Sequence, residues 1–426
     1  MKSFVRRLLI SSTMLVLSIP VFAQQAPPDT LKEIQRQIEI LTQEIENLRL
    51  GEVSETIYEP SRGLGPAAAK VYQLKKTGVS IAGYGELVYE NYDRKREDGV
   101  DANKRDKFDY LRNIVYVGFR FNDWIIFNSE IEFEHAHTGK GGVVSMEFGY
   151  IDLMFSRHFN VRAGMVLPPL GIVNEKHEPS TFFGSLRPQV ERQIIPSTWR
   201  ANGIGIYGEL FPSLDYRAYL IEGLNAASFS DADGIRNGRQ NGANSIVENF
   251  GLAGKLEYKG IAGAIAGVSF FTGKSGQEAT DAQGVIEAAT TVLSFHGEYA
   301  WQGIELRALY AQVSLDEANR VSALTGKTIG SKMTGWYAVA GYDLMPLLSP
   351  GSSHYLAPFV QYEQFNTHAE VAAGYTANPA HDRTIMKLGL SYKPHPNVAF
   401  KFDYNDNTNK AKTGVPQWNL AVTYLF

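Results

Sequence analysis

A two-residue alternation of apolar and polar side chains starts near residue 78 and runs to residue 426. Val115, Val117, Phe119 and Phe121 interleave with Tyr116, Gly118 and Arg120. Phe127, Ser129, Ile131 and Phe133 interleave with Asn128, Glu130, Glu132 and Glu134. Met386, Leu388, Leu390 and Tyr392 interleave with Lys387, Gly389, Ser391 and Lys393, and Val398, Phe400, Phe402 and Tyr404 with Lys401, Asp403 and Asn405. Successive side chains of a strand point to opposite faces, so each segment carries one apolar and one polar face. A water-soluble sandwich has the same local pattern, and the connections separate the two possibilities.

Sixteen strand candidates lie between residues 79 and 426. Seven connections are short (122–123, 156–159, 212–213, 259–261, 302–303, 345–354 and 394–396). Eight are long, near 93–107, 137–143, 168–200, 224–247, 272–288, 315–332, 367–382 and 406–415. Short and long alternate, as in an even-stranded outer-membrane barrel with short periplasmic turns and long outer loops. The expected fold is therefore all-β, a transmembrane antiparallel β-barrel of about 16 strands. Its apolar faces carry no charge, and a Lys or Arg at the bilayer midplane costs about 2–4 kcal/mol. The Gly/Ala-rich run 261–271 leaves its own register open. Tyr89, Phe108, Trp124, Trp301, Trp336, Tyr355 and Trp418 cluster at strand ends, as interfacial girdles do. Trp418, Leu420, Val422, Tyr424 and Phe426 share a face, and an aromatic end on such a strand resembles the signal read by the barrel assembly machinery.

Composition alone points the other way. Mean hydropathy is -0.20, 20% of residues are charged and there is no cysteine. A lipid face and a polar lumen alternating residue by residue give the same average. The net charge of -4, from 41 basic and 45 acidic residues, leaves no broad basic surface for nucleic acid. Lys2, Arg6 and Arg7, an apolar run over 8–21 and Val21-Phe22-Ala23 read as a signal peptide, 1–23. Its removal leaves 38 basic against 45 acidic residues, a net -7. Leu31, Ile34, Ile38, Leu41, Ile45 and Leu48 are spaced 3, 4, 3, 4, 3, a heptad seam within 24–51. One such helix is marginal in water, so further copies of the chain are its expected partners, with dimer and trimer both open. Residues 52–77 read as a linker, which places this coiled-coil helix in the periplasm ahead of a barrel domain, 78–426.

The polar faces supply candidate pore-lining residues of both signs: Arg112, Arg120, Glu130, Glu132, Arg162, Arg217 and Arg307. Sixteen strands are expected to enclose an aqueous channel. Loop 168–200 is long and unusually apolar for a loop, with Ile172, Val173, Phe182, Phe183, Ile194, Ile195 and Trp199. Folded inward, it would narrow the pore, with Lys176, His177, Arg187, Arg192 and Arg200 as constriction candidates, and its net positive charge points toward inorganic anions. A structural plug fits the same loop. No catalytic, metal or cofactor site is expected. Gly273-Lys274-Ser275 and Gly326-Lys327-Thr328 have Val268 and Val321 where a P-loop needs glycine, and His135-x-His137 lacks a third ligand.

The stretch Ile81-Ala82-Gly83-Tyr84-Gly85-Glu86, the tract 147–152, Gly164-Met165-Val166-Leu167-Pro168 and the loop from Gly171-Ile172 to Trp199-Arg200 resemble the phosphate-selective porin O and P family. The resemblance covers 78–426 and implies a sixteen-stranded barrel in outer-membrane lipid, a homotrimer and a loop-narrowed pore. The expected function is passive diffusion of small hydrophilic solutes or ions. The alternatives are a phosphate or oxyanion channel and a closed barrel that tethers the envelope through its coiled coil.

Overall fold

The computed structural model describes residues 62–139 and 141–426. The expected signal peptide, the heptad residues Leu31, Ile34, Ile38, Leu41, Ile45 and Leu48, and residues 52–61 lie outside them.

Sixteen strands among the described residues close into one antiparallel barrel. They are β1 Gly78–Tyr92, β2 Lys107–Arg120, β3 Ile125–Glu134, β4 Val144–Met154, β5 Asn160–Val166, β6 Ala201–Phe211, β7 Leu214–Glu222 and β8 Phe250–Ile261. The second half is β9 Ala264–Lys274, β10 Ala289–Trp301, β11 Ile304–Leu315, β12 Gly330–Tyr342, β13 Tyr355–Val371, β14 Asp382–His395, β15 Val398–Asn409 and β16 Gln417–Leu425. Each strand pairs with the next, and β1 pairs with β16 (Gly85 opposite Tyr424), so no edge is left to face lipid. The short connections lie at one end and the long ones at the other. The connection between β9 and β10 carries a small hairpin, Thr280–Asp281 with Gly284–Val285, and that between β11 and β12 a helix, α1 Ala318–Thr325.

The alternation sorts faces as expected. Phe270, Phe295, Tyr310, Trp336, Tyr362, Leu388, Phe400 and Leu420 are exposed on the outer wall. The open register of β9 resolves with Ser269 and Phe271 buried inside and Phe270 outside. Two ring clusters mark the ends: Trp124, Phe155 and Phe159 by the short turns, and Tyr89, Phe108 and Trp418 by the long loops. Gly83 and Gly85 face outward beneath the rings of Phe426 and Tyr424, and a Cβ at either would collide with them. The outer face carries the Asn113 amide near this seam. The Asn113 carbonyl accepts from the Tyr424 hydroxyl at 3.3 Å, which offsets part of the cost of a polar group in lipid.

The interior is more filled than expected: protein occupies part of the lumen. Part of the expected linker enters the barrel, where Leu64, Ala67, Ala68, Val71 and Tyr72 are buried and a 3-10 turn, Ala68–Gln73, packs on β1, β2 and β3. Inward Ile114, Ile126 and Phe148 complete this apolar cluster. Alternation distinguishes inward from outward, but it carries no mark of whether the inside meets water or protein.

Candidate pore interior

Loop 168–200 runs through the barrel, and none of its residues is exposed. Its backbone is held by inward side chains from across the wall. The Lys401 ammonium donates to the carbonyls of Phe182 at 2.6 Å and Gly184 at 3.0 Å. Arg307 donates to the Thr181 carbonyl. Asp403 accepts from the Ser185 N–H at 2.6 Å, and Glu363 from the Val190 N–H at 3.0 Å. Five proline residues (168, 169, 179, 188 and 196) reduce the loop's own capacity for regular hydrogen bonding, and side chains of the wall replace it.

Charge inside is paired in dry clusters. Arg162 makes a two-pronged contact with Asp152, at 2.7 and 2.9 Å, and the Tyr207 hydroxyl donates to the same carboxylate at 2.9 Å. Tyr72 of the entering segment also donates to Asp152. Glu175 of the loop stands 3.4 Å from Arg217 and 3.0 Å from Lys255, and Glu257 ties both cations to His296. The His177 imidazole lies 3.1 Å from Glu130. Burial alone lowers its pKa, and the Glu130 carboxylate overrides that and leaves it raised. Burial pushes the Glu178 and Glu191 carboxyls up to about 7.

Toward the long-loop end the same loop meets residues 224–247 in an arginine cluster. Arg236 donates to the Arg192 carbonyl at 2.9 Å, and Arg239 to the carbonyls of Thr198 at 2.6 Å and Pro196 at 3.0 Å. Burial, then Arg239, Arg192 and Arg187, push the Arg236 pKa down. A guanidinium keeps its proton, so this repulsion is relieved by anions. Asp233, 3.6 Å from Arg192, and Glu147, paired with Arg200, are the neighbouring carboxylates. The Arg187 Nη1 is buried without a hydrogen bond.

The pore-lining candidates Arg112, Arg120, Glu130, Glu132, Arg162, Arg217 and Arg307 all point inward. Arg112 lies 3.9 Å from Glu86 and 3.6 Å from Glu132. Arg120 reaches carbonyls of the 122–123 turn at 3.3 Å. Glu130, Arg162 and Arg217 are covered by protein. Of the constriction candidates, Lys176 pairs with Glu298 of β10 at 3.7 Å, while Arg187, Arg192 and Arg200 gather in the arginine cluster. Sequence reading missed Asp152, Glu257 and Glu363, which were legible as inward positions, and Arg236 and Arg239, which sit in a loop with no periodicity.

At the short-turn end, between the loop and β8–β14, lies a cavity of about 530 Å³. Lys176, Lys259, Arg307 and Lys393 line it together with Glu298 and Glu305, and Phe182 and Phe183 form apolar wall.

A closed sixteen-stranded antiparallel barrel with a long loop inside has the fold of outer-membrane porins. The outer membrane channel DcaP of Acinetobacter baumannii superposes with a TM-score of 0.53 at 13% identity, over 82% of this chain and 98% of that one. An anion-selective porin from Comamonas acidovorans gives 0.51 at 15% identity, over 82% and 100%. No protein-family model matches the chain. An uncharacterized protein of Aquifex aeolicus (strain VF5) is 37% identical over 393 residues, 89% of this chain and 87% of that one, and the chain belongs to its family. The porin fold thus stands, without a specific tie to the O and P family.

Proposed function

We propose that this protein is an outer-membrane channel for passive diffusion of small hydrophilic solutes or ions, with loop 168–200 narrowing the path. One observation carries the reading. The loop is pinned to the wall on several sides, yet a charged cavity of about 530 Å³ remains between it and β8–β14. A tethering or plug role alone requires no such space. Single-channel recording of the full chain in a planar bilayer tests this; discrete conductance steps in potassium chloride support it, and their absence in correctly folded protein overturns it.

An anion preference is the finer reading, favoured by the meeting of Arg187, Arg192, Arg236 and Arg239. The Comamonas porin of the same fold is anion-selective. Reversal potential in a salt gradient is the test, and a cation-selective value rejects the preference. The closed envelope-tethering barrel is the second reading, favoured by the position of loop 168–200, none of whose residues is exposed.

The assembly around the channel is part of the proposal. Residues 1–23 act as the export signal, and Leu31, Ile34, Ile38, Leu41, Ile45 and Leu48 join copies of the chain, most simply as a homotrimer. Residues 52–61 lead from that helix to the barrel. Arg62 lies beside the 156–159 turn, which favours a periplasmic N-terminal helix. Phe426, packed over Gly83, is the contact offered to the barrel assembly machinery.

A further inference from the structure

We infer that the short-turn cavity is a binding site for a small organic monocarboxylate with an apolar body, and that Lys393 is its docking cation. This deepens the channel reading by naming a solute class, and it rests on that reading only for the solute's passage, since binding is measured separately.

The assignment follows from how charge is distributed around the space. Glu298 is matched twice, by Arg307 at 3.2 Å and Lys176 at 3.7 Å. Glu305 accepts from the Tyr355 hydroxyl at 2.7 Å and faces Arg307 at 4.0 Å. Lys259 turns to Asp215 at 2.5 Å and Glu257 at 3.7 Å. Lys393 differs. Among the described residues no carboxylate stands within 4.0 Å of it, and Glu305 and Asp343 act on it only from beyond that distance. Its contacts are the Ser180 carbonyl at 3.5 Å and the face of the Tyr355 ring, 5.0 Å from the centroid. An ammonium with one long neutral hydrogen bond has donors left for an incoming carboxylate, and a charge-assisted bond is about twice as strong as a neutral one.

The rest of the wall sets what the carboxylate is attached to. Phe182, Phe183, Ile172 and Val173 present apolar surface to the cavity. A bare inorganic anion leaves that surface wet, whereas a ring covers it and gains offset or edge contacts with the phenylalanines. A volume of about 530 Å³ lies within the range of small-molecule sites and holds a single-ring acid with its water. A dicarboxylate is disfavoured, because its second charge would face Glu298 or Glu305.

Calorimetric titration of the full chain in detergent with benzoate, acetate, phenol and inorganic phosphate tests this. Saturable benzoate binding is expected. Acetate, phenol and phosphate should each bind about tenfold weaker or less, a difference of about 1.4 kcal/mol. Lys393→Met should weaken benzoate by about tenfold or more, with Lys393→Arg restoring most of it. Phosphate binding as tight as benzoate makes the site a simple anion site and overturns the inference. Equal binding by wild type and Lys393→Met, or no saturation with benzoate, overturns it too. If Lys393→Met fails to fold, the ring requirement in wild-type protein still decides. Benzoate binding without conductance would instead sink the channel reading and leave the site standing.

Discussion

The Glu178 carboxylate accepts a hydrogen bond from the Ala68 backbone N–H at 3.0 Å, joining the infolded loop to a segment 110 positions earlier. The same carboxylate takes the Ala67 N–H at 3.0 Å. Two orphan donors at the start of a 3-10 turn are thereby satisfied inside the barrel, where no strand is available to receive them.

Glu178→Ala should loosen the N-terminal segment. Leaving buried donors unpaired costs about 1–3 kcal/mol each. Faster hydrogen exchange over 67–72 and new tryptic cleavage after Lys70 are the expected readouts, while Glu178→Gln, which keeps an acceptor, should show little of either.

Acidity should act on the same contact. The Glu178 and Glu191 carboxyls are raised to about 7 from 4.5 by burial, so between those values the folded chain holds protons that the unfolded chain has lost. Stability from this source is full below about 4.5 and is lost as pH rises through about 7. The melting temperature in detergent should fall from about pH 5 to about pH 8. The double variant Glu178→Gln, Glu191→Gln should flatten that slope; an unchanged slope refutes the assignment.

Asp152→Asn should be severe. It leaves the Arg162 guanidinium, 2% exposed, without its carboxylate. Breaking a buried pair on one side costs about 3–5 kcal/mol. A fall in the melting temperature in detergent is the measurement. An Asp152→Asn protein as stable as wild type would mean that the hydroxyls of Tyr72 and Tyr219, which accept from Arg162 at 3.3 and 3.5 Å, suffice without the carboxylate.

The arginine cluster gives a prediction about ions. Arg236→Gln with Arg239→Gln removes two cations from the meeting of loops 168–200 and 224–247. Reversal potential should move toward cations, with the conductance step retained. An unchanged reversal potential would place the cluster away from the ion path.

The wall was legible because a strand has only two faces and lipid tolerates only one kind. Strands 201–211 and 289–301 have the expected limits, and β13 and β15 run past theirs, to Val371 and Asn409, because ladder pairing continues after the apolar alternation stops. The contents of the barrel were less legible. Lys401 meets Phe182 across 219 positions, and Ser185 meets Asp403 across 218. Such pairs leave no periodic trace. A loop arginine such as Arg236 reads like any solvated cation until its neighbours are known.

The seam between β1 and β16 bears on how the molecule is made. Gly85 opposite Tyr424 and Val88 opposite Ala421 join stretches more than 300 positions apart, and the rings of Tyr424 and Phe426 must settle over glycines of the first strand. Until they do, β1 offers a row of bare peptide groups to any passing strand. Contacts so distant form late. Closing this seam is therefore expected to come late, and the bare edge of β1 is what needs shielding before it does.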